Sequence, residues 1–545
     1  MATAEPEASA TAAAEQPFIR SARRARPWAP AALVLLCLVT AGLSVWEAVG
    51  DAPTIDEPVY VTAGTTALVR HDLRLNPQHP PLSKVLAAAP VLLAQPSIPA
   101  GAVWRNHKQR VYSKVFLEDL RRAGLLREVT FLSRLVPILE LLVTGFLVYA
   151  LARRLAGAAG GIFAASLWLL NPFVIGLGHL DGIDIPFTLT ALAVALTLAR
   201  WLESRTPARL IAVGLACGAA LVTRDTGPLL LIVATVTVAL ASRGIPRALA
   251  VIGVASVVVW LVYGALDPAY TLHHPNVLPQ RYIGGFDALA DAHSHATGAF
   301  MFGRHWHSSH WFLWPLSMLV KLPVTLLAAY ALAPFFLRKA MPAARRVCAV
   351  VVPSAVVLAA FTIATPVFLG LRYMLPVLAL MTVLVAPLVR APRALPVLLV
   401  AGSVFFTAAS VPHSIAWVAP PFHPGYRVTT DSNLDLGQDV YPLQRWARGK
   451  DPWIACYSPK GSGCAADVPG ARRLAKSTGR RRIHGWVAIS STLVDLDGWD
   501  PWLRHYKPVG TINGTVLLYR VPGLSRPSPS MKPNPPPSSG RDRAA

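Results

Sequence analysis

Long apolar runs separated by short basic connections set the plan of this chain. Runs of near-spanning length occur at 30–49, 131–151, 157–178, 185–201, 210–223, 226–242, 248–266, 312–336, 347–365, 372–389 and 394–412, of which 210–223 is short. A hydrocarbon core of about 30 Å is crossed by about 20 apolar residues in a helix, so the pattern predicts eleven transmembrane helices. Arg20, Arg23, Arg24 and Arg26 precede the first run. By the positive-inside rule they place the N-terminus in the cytoplasm. Every second connection should then be basic, and Arg153-Arg154, Arg200 to Arg209, Arg243 with Arg247, Arg338 to Arg346, and Arg390 with Arg393 fall where that requires. The opposite connections, 50–130, 179–184, Arg224-Asp225, 267–311 and 366–371, face outside, as does everything from His413 onward.

After 412 the pattern changes. Strand-like pieces at Trp453–Tyr457, Trp486–Ser490 and Gly510–Arg520 alternate with helical stretches, which predicts a small extracytoplasmic α/β domain over 413–524. The Ala, Glu and Thr-rich start reads as a disordered cytoplasmic tail over 1–29, and the Pro and Ser-rich end as a disordered tail over 525–545. The membrane part is 30–412, with large external loops at 50–130 and 267–311.

Composition sharpens this reading in two places. With 54% hydrophobic and 14% charged residues and a mean hydropathy of +0.46, a soluble protein of 545 residues is excluded. The net charge of +23 would suggest nucleic acid in a soluble domain, but here the arginines sit in the short connections, so no nucleic-acid partner is expected. Cys37, Cys217 and Cys348 lie in or beside apolar runs and read as packing residues. Cys456 and Cys464 alone lie in a polar region, where an oxidising compartment would allow a disulfide.

The loop TIDEPVYVTAGTTALVRHDLRLNPQHPPLSK, residues 54–84, is unusually polar for a connection. It opens on Asp56 and Glu57 and continues through Arg70, His71, Asp72 and Arg74. A rigid turn with His79 follows, then an amphipathic or interfacial helix from Leu82 to Leu93 carrying Lys84. Sorted by topology, His179, Asp181, Asp184, Arg224, Asp225, a histidine-rich loop and Arg372 fall on the same outer face. A carboxylate at a membrane boundary is costly unless solvated or paired. Each of Asp56, Asp181 and Asp184 could alternatively cap a helix end in water; together they suggest a cleft at the outer leaflet.

These motifs, in order, carry a family resemblance. Asp-Glu after the first run, Asn-Pro-x-His-Pro-Pro, GHLDGIDIPF, LVTRDTGPLLL, HWHSSHWFLWPLSMLVKLP and RYMLP resemble the bacterial polyprenyl-phosphate-dependent glycosyltransferases. Those enzymes are related to the protein O-mannosyltransferases and the lipid A aminoarabinose transferases of the GT-C fold. DSNLDLGQDVYPLQRW, 431–446, resembles a segment that opens the extracytoplasmic domain in one bacterial branch, with Leu436 in place of the usual Trp. The likeness runs over roughly 30–520.

The resemblance implies a polytopic GT-C membrane enzyme that moves a hexose or pentose from a polyprenyl phosphate to an acceptor hydroxyl on a protein, glycan or lipid, at the outer face of the cell membrane. Asp56 matches the first-loop catalytic Asp and is expected to be the general base, with Glu57 as the adjacent candidate. Asp184 fits the second acidic position better than Asp181 and would orient acceptor or sugar. For the departing phosphate Arg372 comes first, because a guanidinium can grip two oxygens; Lys84, Arg134, Arg224 and Lys321 are further candidates, with His79 in the same set. Lys321 either meets an anion such as the lipid phosphate or snorkels or pairs with an acid.

The 267–311 loop holds His273, His274, His293, His295, His305, His307 and His310. A His-x-His pair can hold a divalent ion, but the spacing matches no closed site, so no cofactor is expected and a metal is kept as an alternative. His305 and Trp306 are expected to shape the cleft entrance. Asn513-Gly514-Thr515 fits a glycosylation acceptor pattern but reads as a hairpin turn. Ser432 and Asp435 have no His at triad spacing, which argues against a hydrolase. Two rivals stand beside the transferase: a secondary transporter or flippase whose outer acids carry protons, although its charges belong near the midplane, and a membrane-anchored scaffold, which leaves 54–84 unexplained.

Overall fold

The computed structural model describes residues 28–293, 298–496, 498–499 and 501–523. The tail residues 1–27 with their four arginines, His295 and the Pro and Ser-rich end from 525 lie outside the described residues, as does the side chain of His293.

Among the described residues six helical segments are long and apolar enough to cross a membrane: Trp28–Gly50, Leu126–Leu169, Asp184–Glu203, Pro246–Leu266, Ala344–Ala364 and Leu371–Arg390. Shorter apolar helices occupy Leu82–Ala94, Pro207–Leu221, Gly227–Ser242 and Ala394–Ser410. The chain is a polytopic α-helical membrane protein. Asp184–Glu203 and Leu371–Arg390 are each 72% buried over their most apolar stretch, whereas Pro246–Leu266 is 22% and Trp28–Gly50 is 28%. The first two form the centre of the bundle; the other two offer Leu249, Val257, Leu261, Leu35 and Leu38 to the outside, as lipid allows.

Leu126–Leu169 is not one rod. A straight 44-residue helix would be about 66 Å long, twice a bilayer core. At Ala156 and Gly157 the backbone leaves helical geometry, with Gly157 at φ +69°, and the chain turns back. Trp168 donates from Nε1 to Thr144 Oγ1 at 2.8 Å, and a Cβ on Gly161 would lie 2.6 Å from the Tyr149 ring. The two arms therefore pack antiparallel, and only glycine permits both the turn and the close approach. In contrast, Arg338 to Arg346, expected as a connection, runs inside the continuous helical element Val324–Ala364. The run 312–336 is broken instead at Leu322-Pro323, where Leu313–Lys321 ends, because proline disfavours the helical conformation of the residue before it.

The long first loop is helical: Glu57–Arg70, Leu82–Ala88, Pro90–Ala94, Ala102–Asn106 and Gln109–Arg122. A two-stranded hairpin, β1 Ala299–Met301 and β2 Arg304–Trp306, precedes Leu313–Lys321. A separate five-stranded sheet lies beyond the last apolar helix. Its strands are β3 Trp453–Ala455, β4 Arg472–Arg473, β5 Gly485–Ser490, β6 Gly510–Ile512 and β7 Val516–Val521, in the order β4-β3-β5-β7-β6. β3 is parallel to β4 and β5, and β7 is antiparallel to β5 and β6. Alternation buries both faces: Val487, Ile489, Leu517 and Tyr519 on one, Ala488, Val516 and Leu518 against Leu443 and Ala447 of helix Val440–Ala447 on the other. Asn513-Gly514 make the β6–β7 turn with positive φ at both residues. Asn513 and Thr515 then bond the two oxygens of the Asp439 carboxylate at 2.5 and 2.6 Å. Cys456 and Cys464 form a disulfide.

Candidate active site

Asp56 is the residue before helix Glu57–Arg70, which Pro58 starts. Its carboxylate makes no cap to that helix; Oδ2 accepts from Arg372 Nη1 at 2.8 Å, across 316 positions of sequence. Arg372 lies in the turn Leu371–Met374, entered through Gly370 at φ +75°. Leu371 N donates to Asn433 Oδ1 at 2.8 Å, which fixes the turn. The structure gives Arg372 one further hydrogen bond among the described residues, from Nε to Leu369 O. A guanidinium has five donors, so this one retains capacity for a ligand.

Asp56 and Arg372 border a cavity of about 270 Å³ whose wall includes Tyr60, His79, Tyr373 and Asp431. A smaller cavity of about 40 Å³ shares Asp56, Tyr60, Arg372 and Tyr373 and adds Asp181 and Asp184. A third, of about 70 Å³, shares His79 and Tyr373, adds Arg224, Asp225 and three threonines, and has an apolar part formed by Phe187, Leu358, Phe361 and Pro376. Arg224 donates to Asp184 Oδ1 at 2.6 Å and lies 4.6 Å over the Tyr373 ring. His79 Nδ1 stands 3.6 Å from Asp225. Of the residues singled out in the sequence, Asp56, His79, Asp181, Asp184, Arg224 and Arg372 thus come together on these adjoining cavities.

The others sit elsewhere. Arg134 is fully buried, and all five of its donors are engaged: Nε and Nη2 with Glu57 at 2.8 and 2.7 Å, Nη1 with the carbonyls of Ala48 and Asp51, and Nη2 with that of Ala52. Glu57 also accepts from Thr54 and from the Asp181 amide. Burial opposes its charge, but the Arg134 guanidinium and these donors prevail and hold its carboxyl below the usual range. Lys84 Nζ donates to Asn76 O at 2.8 Å, Asn76 Oδ1 at 3.1 Å and His79 O at 2.6 Å, so it pins the Asn76–His79 turn; burial pushes its pKa down to about 7. Lys321 Nζ donates to the carbonyls of Ile415 and Trp417 and, among the described residues, pairs with no acid and lines none of these three cavities. His305 is exposed on β2, with its ring 5.3 Å from Phe300, and is not part of the cavity wall. Among the described residues no group of three or more His, Cys, Asp or Glu is placed to hold a metal.

Sequence reasoning missed Tyr60, Tyr373, Asn433, Asp431 and Tyr457. Tyr60 had a usable signal, one helical turn after Asp56. Asp431 and Asn433 belong to a segment noticed only for its likeness. The buried acids Glu47 and Asp51 were also overlooked; both lie beside His179, at 3.5 and 3.1 Å.

Residues 124–264, about a quarter of the chain, match the model of the Dolichyl-phosphate-mannose-protein mannosyltransferase family. No curated protein matches the chain. Among solved structures it is similar to ArnT from Cupriavidus metallidurans bound to undecaprenyl phosphate, at 13% identity and TM-score 0.48, over 91% of this chain and 98% of that one. The apo ArnT structure gives 15% and 0.41 over 66% of this chain, which spans 60% of that one. The apo oligosaccharyltransferase of Archaeoglobus fulgidus gives 14% and 0.42 over 74% of this chain and 57% of that one.

Proposed function

We propose that this chain is a GT-C glycosyltransferase that transfers a hexose or pentose from a polyprenyl phosphate to an acceptor hydroxyl of a protein, glycan or lipid, with Asp56 as general base. The observation that carries the reading is the Asp56–Arg372 pair on the wall of a polar cavity that adjoins an apolar recess. A lipid phosphate has that same polarity, a charged head on an apolar chain. Arg372 pairs with Asp56 at 2.8 Å, and its remaining donors suit a phosphate. The acceptor oxygen bonds to the anomeric carbon while the bond from that carbon to the phosphate oxygen breaks. The hydroxyl proton passes to Asp56, and the leaving polyprenyl phosphate takes the bonding electrons and is stabilised by Arg372. Arg224 holds Asp184 at the edge of the same space, where Asp184 orients the acceptor or sugar.

In this reading residues 30–412 form an eleven-span membrane part, 413–524 lie outside the cell membrane, and the tails 1–29 and 525–545 flank them. The test is consumption of radiolabelled sugar from a panel of polyprenyl-phosphate donors in membranes bearing the wild type or Asp56→Asn. Wild-type turnover with a loss of about 10²–10⁴-fold in the folded variant is expected. Equal turnover removes Asp56 from the chemistry; no turnover with any donor brings forward a transporter or flippase.

A further inference from the structure

Several groups that line the cavity have no part in the proposed reaction, and Asp431 is the most informative of them. It begins the segment 431–439 that joins the membrane part to the C-terminal sheet, and it lines the same cavity as Asp56 and Arg372. Two neighbours hold its carboxylate: the Tyr457 hydroxyl donates to Oδ1 at 3.0 Å and Ser432 Oγ lies 3.4 Å from Oδ2. Its backbone amide donates to Thr492 Oγ1 at 3.2 Å, and its φ is +51°. Aspartate enters this left-handed region more readily than most residues, because its short polar side chain can hydrogen-bond locally. Tyr457 and Thr492 both come from the C-terminal part, one after β3 and one after β5. The sheet domain therefore presents this carboxylate to the cavity.

A carboxylate offers about four acceptor positions, and the Tyr457 hydroxyl with the Ser432 hydroxyl and amide fill up to three of them. What would fill the remainder is constrained by charge. A phosphate would be repelled by Asp431 and drawn to Arg372, so the Asp431 side of the cavity suits a neutral group with hydroxyl donors. A hydroxyl on a sugar ring matches an open acceptor position on this carboxylate. The phenols of Tyr60 and Tyr457 lie on the same wall and add further polar contacts.

We infer that Asp431, backed by Tyr457, binds a hydroxyl of the donor sugar and thereby selects which sugar is transferred. The inference rests on the transferase reading above. Asp431 touches the substrate at a distance from the reacting carbon, so its loss alters recognition more than the chemical step. The segment 431–439 thus has two roles: it docks the sheet domain and completes the sugar subsite.

The test uses the full-length protein in membrane vesicles with radiolabelled polyprenyl-phosphate mannose, glucose, galactose and arabinose as probes. Wild type, Asp431→Asn and Tyr457→Phe are compared for KM, for kcat/KM ratios between the epimeric sugars, and for thermal unfolding. A hydrogen bond to a charged group predicts that Asp431→Asn raises KM for the preferred donor about 10- to 100-fold and collapses the epimer ratio by a similar factor, with unfolding unchanged. Tyr457→Phe should shift both in the same direction and by less. Unchanged KM and epimer ratio in Asp431→Asn, with the wild type active, overturns the inference alone. The inference is likewise overturned if activity falls only in step with stability while the ratio holds. A wild type that consumes none of the donors overturns the transferase reading, and the inference with it.

Discussion

Asp56 and Glu57 are adjacent and differ by one methylene, yet they meet opposite surroundings. The Glu57 side chain is 3% exposed and every partner around it is in place: Arg134, Thr54 and the Asp181 amide. The Asp56 side chain is 31% exposed and shares Arg372 with an open cavity. The same contrast separates the two arginines, five donors engaged in Arg134 against two in Arg372. Ion pairing is therefore common to both pairs. Unfilled hydrogen-bonding capacity beside a cavity is what separates Asp56 and Arg372 from Glu57 and Arg134.

The largest effect that tests this contrast is on stability. Arg134→Met leaves Glu57 buried without its cation, which costs about 3–5 kcal/mol, so thermal unfolding in detergent should drop sharply. Glu57→Gln should also destabilise, and the double variant should lose less than the sum, since the pair is one unit. Arg372→Met should cost clearly less stability than Arg134→Met, because the Asp56 carboxylate it leaves is 31% exposed and borders a cavity, while donor turnover falls. An Arg134→Met protein that is fully stable but inactive would reverse the assignment of the two arginines.

Much of the helical frame was readable because apolar length is a direct physical requirement of the bilayer. The run 185–201 became Asp184–Glu203, 248–266 became Pro246–Leu266, and the turn between 131–151 and 157–178 falls at Ala156-Gly157, just after Arg153-Arg154. Around the basic stretch Arg338 to Arg346 the helical element runs on from Val324 to Ala364, while a span-length apolar stretch begins at Ala344. At the site, Asp56 and Arg372 were legible as unusual charges at an apolar boundary. The engagement of Arg134 was not, since three of its five donors go to backbone carbonyls of Ala48, Asp51 and Ala52, and carbonyls leave no mark in a sequence. Asn433 was hidden for a related reason: its contact is with the Leu371 amide, 62 positions away.

A smaller effect is expected where the turn carrying Arg372 meets the Asp431–Asn433 segment. Gly370 has φ +75°, and a Cβ there would lie 2.9 Å from Asn433 Oδ1 and 3.0 Å from Ser432 Cβ. With ψ 177° this is a conformation that essentially only glycine adopts, and it costs an alanine about 1–3 kcal/mol. Gly370→Ala should lower kcat/KM for the donor about tenfold by displacing Arg372, with a loss of stability near the strain cost. Asn433→Ala releases the same turn without the strain and should reproduce the kinetic loss. If Gly370→Ala loses stability but keeps its donor kinetics, the turn does not set the position of Arg372.

The last effect is on pH dependence and concerns a third acid, one that among the described residues forms no ion pair and lines none of the three cavities. Asp435 is buried; it accepts from the Gly437 amide at 3.0 Å and from the Ser490 hydroxyl. Burial outweighs these donors and pushes its pKa up to about 7. An unfolded Asp titrates near ~4, so between about pH 4 and 7 the folded state holds a proton that the unfolded state has released. Stability then falls as pH rises through that window, by at most about 1.4 kcal/mol per pH unit, and levels off above it. Asp435→Asn resembles the protonated acid in shape and cannot ionise. Unfolding curves of wild type and variant should therefore run together near pH 4 and diverge towards pH 7, with the variant losing less. Parallel curves across that range would mean that Asp435 keeps its charge, and that the Gly437 and Ser490 donors suffice where Glu57 requires a guanidinium.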